Sequence, residues 1–304
     1  MMKVLVTGGT GMVGQHLKKF LPGAIYMGRS NGYDFTCSET VDRVFKLNKP
    51  DAVVHLAAVV GGIQDNISRP AEFFDQNVLM NTLVISGAMR HGVQRLIAIG
   101  STCMYPDVCT SYPMKETDIH LGPPADTNFG YGYAKRAMAV QIDQYNRQYG
   151  SRYCYLIPSN LYGEYDKYQD SASHYVAALI KKIHCALHTG AEHITLFGSG
   201  KPLRQFMHAE DLAKVIAHCI QRDVYINANV TPDEVYSIDQ IARIALKACN
   251  GQHLRIEYDL QKPDGQYRKD CCNAILKKAF PDLKFKSLEE GIAQTYEHYS
   301  RFGA

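Results

Sequence analysis

The sequence predicts an α/β fold built on a doubly wound parallel β-sheet, with a smaller mixed α/β region towards the C-terminus. Short β-branched runs alternate with helical patterns over the first two-thirds of the 304 residues, a glycine-rich turn follows the first run, and the alternation ends after about Gly163. Alternating strands and helices favour a parallel sheet covered by helices on both faces. Such a sheet binds ligands outside the carboxyl ends of its strands.

Five β-branched or apolar runs are typical of the strands of this sheet. They are Lys3–Thr7, Ala24–Met27, Ala52–His55, Arg95–Ile99 and Tyr153–Ile157. Apolar residues at helical spacing lie between them, as in Val13 with Leu17.

The pattern after Gly163 is shorter and more mixed. It predicts a turn-rich segment over Tyr162–Ser173, a helix over Tyr175–Leu187, a loop over Leu196–Pro202, a return to the first region over Arg204–Ile220 and a final helix over Leu288–Tyr299. We therefore expect a nucleotide-binding domain of residues 1–163 plus about 203–223. A substrate-binding domain would comprise about 164–202 plus 224–304.

Composition excludes several classes of protein. The formal net charge of +3 is too small to indicate nucleic acid or a membrane surface as a partner. No apolar run approaches the roughly 20 residues that cross a bilayer, and the N-terminal residues lack a signal-peptide layout. The nine cysteines show no C-x-x-C spacing, which favours reduced thiols over a disulfide frame or a metal site. We expect a soluble, cytoplasmic protein without a bound metal.

The glycine-rich turn has the position of a dinucleotide-binding loop, between the first strand and the first helix. It comprises Gly8, Gly9, Thr10, Gly11, Met12, Val13 and Gly14. Glycines permit the tight turn and the close approach of the backbone to a pyrophosphate, and the helix N-terminus offers free N–H groups. A glycine-rich turn without a ligand is the alternative, which the strand–turn–helix context disfavours.

The end of the second strand indicates which dinucleotide binds. NAD-binding proteins place an acidic residue there, against the ribose 2′-hydroxyl, whereas this chain has Arg29. A guanidinium suits a 2′-phosphate, so we favour NADP(H). Asp34 and Phe35 are candidates for contact with the adenine side. Alternatively, Arg29 is a solvated surface charge.

A candidate acid–base group lies at the ligand edge of the sheet. Tyr131 and Lys135 are one helical turn apart on one face, and Ser101 follows the strand Arg95–Ile99. We expect the ammonium to lower the pKa of the phenol, which makes it usable near neutrality, and Ser101 to hydrogen-bond a substrate oxygen. Tyr133 lacks a lysine four residues on.

With these residues the chain resembles the extended short-chain dehydrogenase/reductases and, within them, the GDP-L-fucose synthase family. The resemblance covers essentially the whole chain. It rests on Val6-Thr-Gly-Gly-Thr-Gly-Met-Val-Gly14, His55-Leu-Ala-Ala-Val-Val-Gly-Gly-Ile63, Gly100-Ser-Thr-Cys-Met-Tyr-Pro106, Asn128-Phe-Gly-Tyr-Gly-Tyr-Ala-Lys135, Pro158-Ser-Asn-Leu-Tyr-Gly163, Ser173-His174 and Lys262-Pro-Asp-Gly-Gln266.

The resemblance implies an epimerase-reductase that acts on GDP-4-keto-6-deoxymannose in one site. Cys103 and His174 would exchange protons at carbons 3 and 5, and Ser101, Tyr131 and Lys135 would serve the reduction of the keto group by NADPH. Without the resemblance, Cys103 is more readily interpreted as a core residue and His174 as structural. Further cofactor contacts implied by the resemblance are Leu56, Ala57, Ala58, Lys135, Pro158, Asn160, Leu161 and His174.

Substrate contacts are implied at four positions, Lys182, Phe197, Arg204 and Asp264. Arg204 and Lys182 could pair with the diphosphate or could be solvated charges. Phe197 stands where the family usually has tryptophan, and the chain contains no Trp, so an indole N–H donor is missing. The family also implies a homodimer, formed by helices near Asn77–Met89 and Arg136–Tyr149.

Two other functions remain open at this point. One is a UDP-sugar 4-epimerase or a sugar-nucleotide 4,6-dehydratase with tightly bound NAD. Arg29 argues against NAD, and Cys103-Met104 replaces the Asp-Glu expected of a dehydratase. The other is a catalytically silent NADP-binding regulatory protein, against which the retained Tyr131 and Lys135 argue.

Overall fold

The computed structural model describes residues 2–168, 173–262 and 264–303. Its strands are β1 Val4–Thr7, β2 Ile25–Met27, β3 Ala52–His55, β4 Arg95–Ile99, β5 Arg152–Pro158, β6 Asn160–Tyr162, β7 His193–Phe197, β8 Leu203–Arg204, β9 Phe206–His208, β10 Ala228–Val230, β11 Tyr236–Ser237, β12 Arg255–Asp259 and β13 Arg268–Lys269. Its α-helices are α1 Met12–Leu17, α2 Ser38–Asn48, α3 Ile63–Ser68, α4 Pro70–Arg90, α5 Phe129–Tyr149, α6 Tyr175–Thr189, α7 Ala209–Gln221, α8 Ile238–Ala248, α9 Ala274–Ala279 and α10 Leu288–Phe302. None of the described helices is long and apolar enough to span a membrane.

Six parallel strands form the central sheet, in the order β10-β5-β4-β3-β1-β2. The doubly wound parallel sheet predicted from the sequence is therefore confirmed. The chain places β2 on one side of β1 and β3 on the other, so the direction of winding reverses at β1. Ligands of such sheets bind in the crevice at this reversal, outside the carboxyl ends of the strands.

The two faces of the sheet carry separate hydrophobic cores because successive strand residues point to opposite faces. Leu5 packs with α2, α4 and α5 on one face. Val4 and Val6 pack with α1, α7 and α9 on the other. A third core lies beyond the sheet, where α6, α8 and α10 pack around Tyr162 and Ile194.

Two boundaries of the sequence prediction are wrong. The prediction placed all residues from 224 onwards in the substrate-binding domain, but β10 extends the central sheet by pairing with β5, and Leu276 and Phe280 of the α9 region pack beneath that sheet. The loop predicted over Leu196–Pro202 begins two residues later, because Leu196 and Phe197 complete β7 by pairing in parallel with β12.

The glycine-rich turn packs too closely for side chains at three positions, Gly8, Gly9 and Gly14. Gly8 has φ of 68°, and a Cβ there would lie 2.5 Å from the Ala57 backbone nitrogen; a Cβ on Gly14 would lie 2.5 Å from the Gly9 carbonyl oxygen. At Gly11 the nearest atom, the Gly8 carbonyl oxygen, would be 3.4 Å away. The turn is thus tight against β3 and α1 but open at Gly11, where a pyrophosphate approaches in proteins of this fold.

Candidate active site

Ser101 and Cys103 are held together by a short 3₁₀ turn that follows β4. The turn comprises Thr102–Met104, and the Ser101 hydroxyl caps it by accepting the Cys103 backbone N–H at 3.2 Å. Helix α5 packs directly on this turn, since a Cβ on Gly132 would lie 2.5 Å from the Cys103 carbonyl oxygen. Close packing of this glycine brings the neighbouring Tyr131 to the end of β4.

Tyr131, Ser101 and Cys103 meet at one point in the structure. Both the Ser101 hydroxyl and the Cys103 thiol are near enough to the Tyr131 hydroxyl to act on its pKa. Burial is the main cause that raises the pKa of Tyr131, and Cys103 adds to it, while Ser101 lowers it in part. The phenol is therefore neutral and a proton donor near pH 7.

The expected effect of Lys135 on Tyr131 is not what the structure shows. The Lys135 Nζ lies 5.8 Å from the centre of the Tyr131 ring and donates to the Ile99 carbonyl at 2.8 Å. Burial lowers the pKa of Lys135 to about 8. The expectation that the ammonium lowers the phenol's pKa was wrong for this arrangement, because loss of solvation at the buried hydroxyl dominates.

Polar groups from distant parts of the chain surround the Cys103 thiol, which is half-buried and unpaired. Asn128 Nδ2 lies 3.1 Å from Sγ and Lys269 Nζ lies 3.4 Å from it. Arg204 is also close, since Cys103 acts electrostatically on its guanidinium. Cys103 is thus at the candidate site rather than in a core.

His174 immediately precedes α6 and pairs with a carboxylate. Its Nδ1 lies 2.9 Å from Asp166 Oδ1, and Asp166 is nearly buried. Burial opposes protonation of His174, but the hydrogen bond and charge of Asp166 outweigh it and raise the pKa of the imidazole. Within the described residues, no hydrogen bond or ion pair joins His174 to Cys103 or Tyr131.

Arg29 and Asp34 lie together beyond the carboxyl end of β2. The side chain of Arg29 is 63% exposed and its guanidinium is 3.7 Å from Asp34 Oδ1. Phe35, in contrast, is 2% exposed and packs in the core with α2 and α4. Its ring is therefore a core group, and its contact with the adenine side stays a prediction.

The other proposed cofactor contacts lie at the carboxyl ends of β3 and β5. These contacts are Leu56, Ala57 and Ala58 after β3, and Pro158, Asn160 and Leu161 at and after the end of β5. Asn160 Nδ2 donates to the Gln205 carbonyl at 2.9 Å, which fixes the chain after β5. They share the edge of the sheet with the glycine-rich turn.

The four expected substrate contacts form two pairs. Lys182 Nζ lies 4.8 Å from the centre of the Phe197 ring, which is 61% exposed. Asp264 acts electrostatically on Arg204 and accepts the hydroxyl and backbone N–H of Ser199. Both pairs present cationic groups, as a diphosphate requires.

Sequence reasoning missed Asp166, Asn128, Lys269 and Lys262. Lys269 reaches Cys103 only because β13 pairs with β8, which places it opposite Arg204. Lys262 lies 5.7 Å from the Phe197 ring centre, on the chain that leads to Asp264. Asn128 precedes α5 directly, so its closeness to Tyr131 in sequence was the available signal.

Comparisons with known proteins identify the family of this chain. Residues 4–231 match the model of the NAD dependent epimerase/dehydratase family. A GDP-L-fucose synthase of Dictyostelium discoideum is 35% identical over 97% of this chain and 94% of its own length. A GDP-L-colitose synthase of Yersinia pseudotuberculosis is 34% identical, with 98% of each chain covered.

The fold is shared with a solved relative. A GDP-L-fucose synthetase of Naegleria fowleri bound to NADP superposes with a TM-score of 0.89 at 30% identity, over 99% of this chain and 93% of that chain. The chain therefore belongs to the NAD dependent epimerase/dehydratase family and, within it, to the GDP-L-fucose synthase family.

Proposed function

We propose that this chain converts GDP-4-keto-6-deoxy-D-mannose to GDP-L-fucose by epimerisation at carbons 3 and 5, followed by NADPH-dependent reduction at carbon 4. The observation that carries the proposal is the convergence of Ser101, Tyr131 and Cys103 at the ligand edge of the sheet. Relatives named as GDP-L-fucose synthases over nearly the whole chain support the substrate.

One oxygen-binding site serves both stages of this reaction. The neutral Tyr131 phenol and the Ser101 hydroxyl donate hydrogen bonds to the C4 oxygen, and so stabilise the enolate that forms when a neighbouring carbon loses its proton. Cys103 and His174 remove and return these protons, since thiol and imidazole both exchange protons near neutral pH.

Reduction uses the same groups. NADPH supplies, when bound, the hydride to carbon 4. Tyr131 gives its proton to the C4 oxygen, and the buried ammonium of Lys135 stabilises the phenolate that remains. Lys135 is held for this role by the Ile99 carbonyl at the end of β4.

The residues of the cofactor crevice fit NADP(H). The glycine-rich turn is open at Gly11 and the start of α1 faces the crevice, which suits a pyrophosphate. Arg29 offers an exposed guanidinium where a 2′-phosphate needs one, at the end of β2. The solved relative bound to NADP supports the same choice.

The polar groups of the second region fit a nucleoside diphosphate. We propose that Lys182 and Arg204 pair with the phosphates, that Phe197 stacks on the base and that Asp264 holds Arg204 in place. We keep the division into a nucleotide-binding and a substrate-binding region, with β10 and α9 reassigned to the former.

We propose a homodimer in the cytoplasm. Helices α4 and α5 expose apolar side chains side by side, among them Phe74, Leu79, Phe129 and Val140. Adjacent exposed apolar side chains of this kind mark an interaction surface. They lie on the two helices that the sequence indicated for the dimer. All nine cysteines are free thiols, as in proteins of a reducing compartment.

Replacing Cys103 by serine tests the epimerisation chemistry. Because a hydroxyl exchanges protons poorly at neutral pH, we expect Cys103→Ser to slow solvent deuterium incorporation at carbons 3 and 5 by about 100-fold or more. Cys185→Ser, which changes an exposed thiol on α6, is the matched control. Unfolding of the Cys103 variant, or unchanged exchange, would refute the assignment.

Replacing Arg29 by alanine tests the cofactor. Because Arg29→Ala removes a charge-assisted hydrogen bond to the 2′-phosphate, we expect the affinity for NADPH to fall by about 10- to 100-fold. The affinity for NADH, which lacks that phosphate, should not change. Fluorescence titration with both nucleotides measures the two dissociation constants. An equal loss for both would remove Arg29 from the phosphate site.

A charge on the exposed face of α5 tests the dimer. We expect light scattering to give the mass of two wild-type chains, and Val140→Glu to give that of one, because a carboxylate cannot be buried unpaired in an apolar interface. Leu47→Glu, at an exposed apolar residue on α2, should leave the mass unchanged. A wild-type protein with the mass of one chain contradicts the proposal.

A further inference from the structure

We propose that Asp166 is the positioning residue for His174: it fixes the imidazole's orientation and tautomer so that Nε2 is the nitrogen that exchanges protons with the substrate. This inference rests on the proposed function. The observation that carries it is the 2.9 Å contact between Asp166 Oδ1 and His174 Nδ1, with the second oxygen at 3.2 Å.

The contact determines where the imidazole carries its proton. A carboxylate can only accept a hydrogen bond, so Nδ1 must be the donor and Nε2 is left for other partners. A general base is effective when the group behind it holds one tautomer in place, as the carboxylate of a Ser-His-Asp triad does. Asp166 is nearly buried, whereas His174 is about one-third exposed, so the imidazole is the solvent-facing member of the pair.

Asp166 is held in place by an unusual backbone. Gly163 has φ of 153° and Tyr165 has φ of 69°, on either side of Glu164. A positive φ in a tyrosine costs energy, so it persists only where surrounding contacts enforce it. Strain of this kind is often found near functional groups, and here the strained residues lead directly into Asp166.

Glu164 provides the contacts that enforce this backbone. It is almost fully buried, and its Oε2 lies 3.0 Å from His208 Nε2 and 3.4 Å from His16 Nε2, while Gln294 donates to Oε1 at 2.6 Å. The carboxylate therefore ties the segment to α1, to the start of α7 and to α10. These contacts hold the pKa of Glu164 well below its usual range despite its burial.

The same cluster could be taken for a metal site, since two imidazoles and a carboxylate converge. His208 Nδ1, however, accepts the Glu210 backbone N–H at 3.3 Å. The ring proton of His208 is then on Nε2, which leaves no lone pair there for a cation. The cluster is a buried polar anchor in which Gln294 donates the hydrogen bond to Glu164. Tyr165 adds to it by packing edge-on against His16 and His298.

The charges facing His174 set the direction of its titration. Asp166 raises the pKa of the imidazole, Lys167 opposes it more weakly, and burial also opposes it. The imidazolium accordingly persists to higher pH than in free histidine. Removing the carboxylate charge should therefore lower the pH at which the exchange rate changes with the protonation of His174.

Asp166→Asn tests the positioning role because the amide keeps the shape but loses the charge and can present an N–H to Nδ1. We expect solvent deuterium exchange at carbons 3 and 5 to fall at least about 10-fold in kcat with KM within about threefold, and its pH limit to move downwards. Oxidation of GDP-L-fucose by NADP⁺, which needs Tyr131 but no exchange at these carbons, should stay near the wild-type rate.

Asp42→Asn is the matched control. It removes the same charge from a pair with Arg90 and His91 on the surface of α2, and should change neither reaction. Equal losses of exchange and of GDP-L-fucose oxidation in Asp166→Asn would indicate a merely structural role and overturn the proposal. Unchanged exchange with an unchanged pH profile would also overturn it.

Nitrogen NMR of the histidine rings separates this proposal from the proposed function. The signal that is lost in His174→Gln identifies His174. In the wild-type protein, the neutral His174 ring should carry its proton on Nδ1, and the ring should titrate at a higher pH than in Asp166→Asn. This result is required even if the sugar substrate proves to be different. A neutral ring protonated on Nε2, or the same pKa in both proteins, contradicts the positioning role.

Discussion

The chemistry of this protein depends on the loss of solvation at one phenol. Tyr131, in the first turn of α5, is half-buried beside the ring of Phe73, and its hydroxyl lies near Ser101 and Cys103. Because burial disfavours the phenolate, the resting group is a proton donor, which is what a developing oxyanion at carbon 4 needs. In the proposed mechanism, the buried ammonium of Lys135 acts after that proton has left. One oxygen-binding point therefore serves two reaction stages.

The remainder of the site is assembled around this point by elements that are far apart in sequence. The thiol of Cys103 contacts Lys269 only because two short strands of the smaller region pair side by side. His174 is approached from behind by Asp166, whose segment is anchored to three helices through Glu164. The smaller region thus supplies charged groups that lie beside both of the proposed proton-exchanging side chains.

Sequence reasoning found the local features and missed the distant ones. Alternating β-branched runs placed all five strands of the expected sheet within one or two residues, because strand patterns and glycine turns are local in the chain. Tyr131, Lys135 and Ser101 were predicted as a group for the same reason, and the structure brings them to the end of β4. Asp166, eight residues before His174, lay in a turn-rich stretch without periodicity, and Lys269 is 166 residues from Cys103. The pKa of Tyr131 was misjudged because it depends on burial, which a sequence does not display.

Proton exchange and hydride transfer at a single carbonyl site are the central feature of the proposed mechanism. The direct test is NMR and mass analysis of the product formed from GDP-4-keto-6-deoxy-D-mannose in D₂O with unlabelled NADPH. We expect GDP-L-fucose with deuterium at carbons 3 and 5 and hydrogen at carbon 4. A reduced sugar that retains hydrogen and the original configuration at carbons 3 and 5 would contradict it.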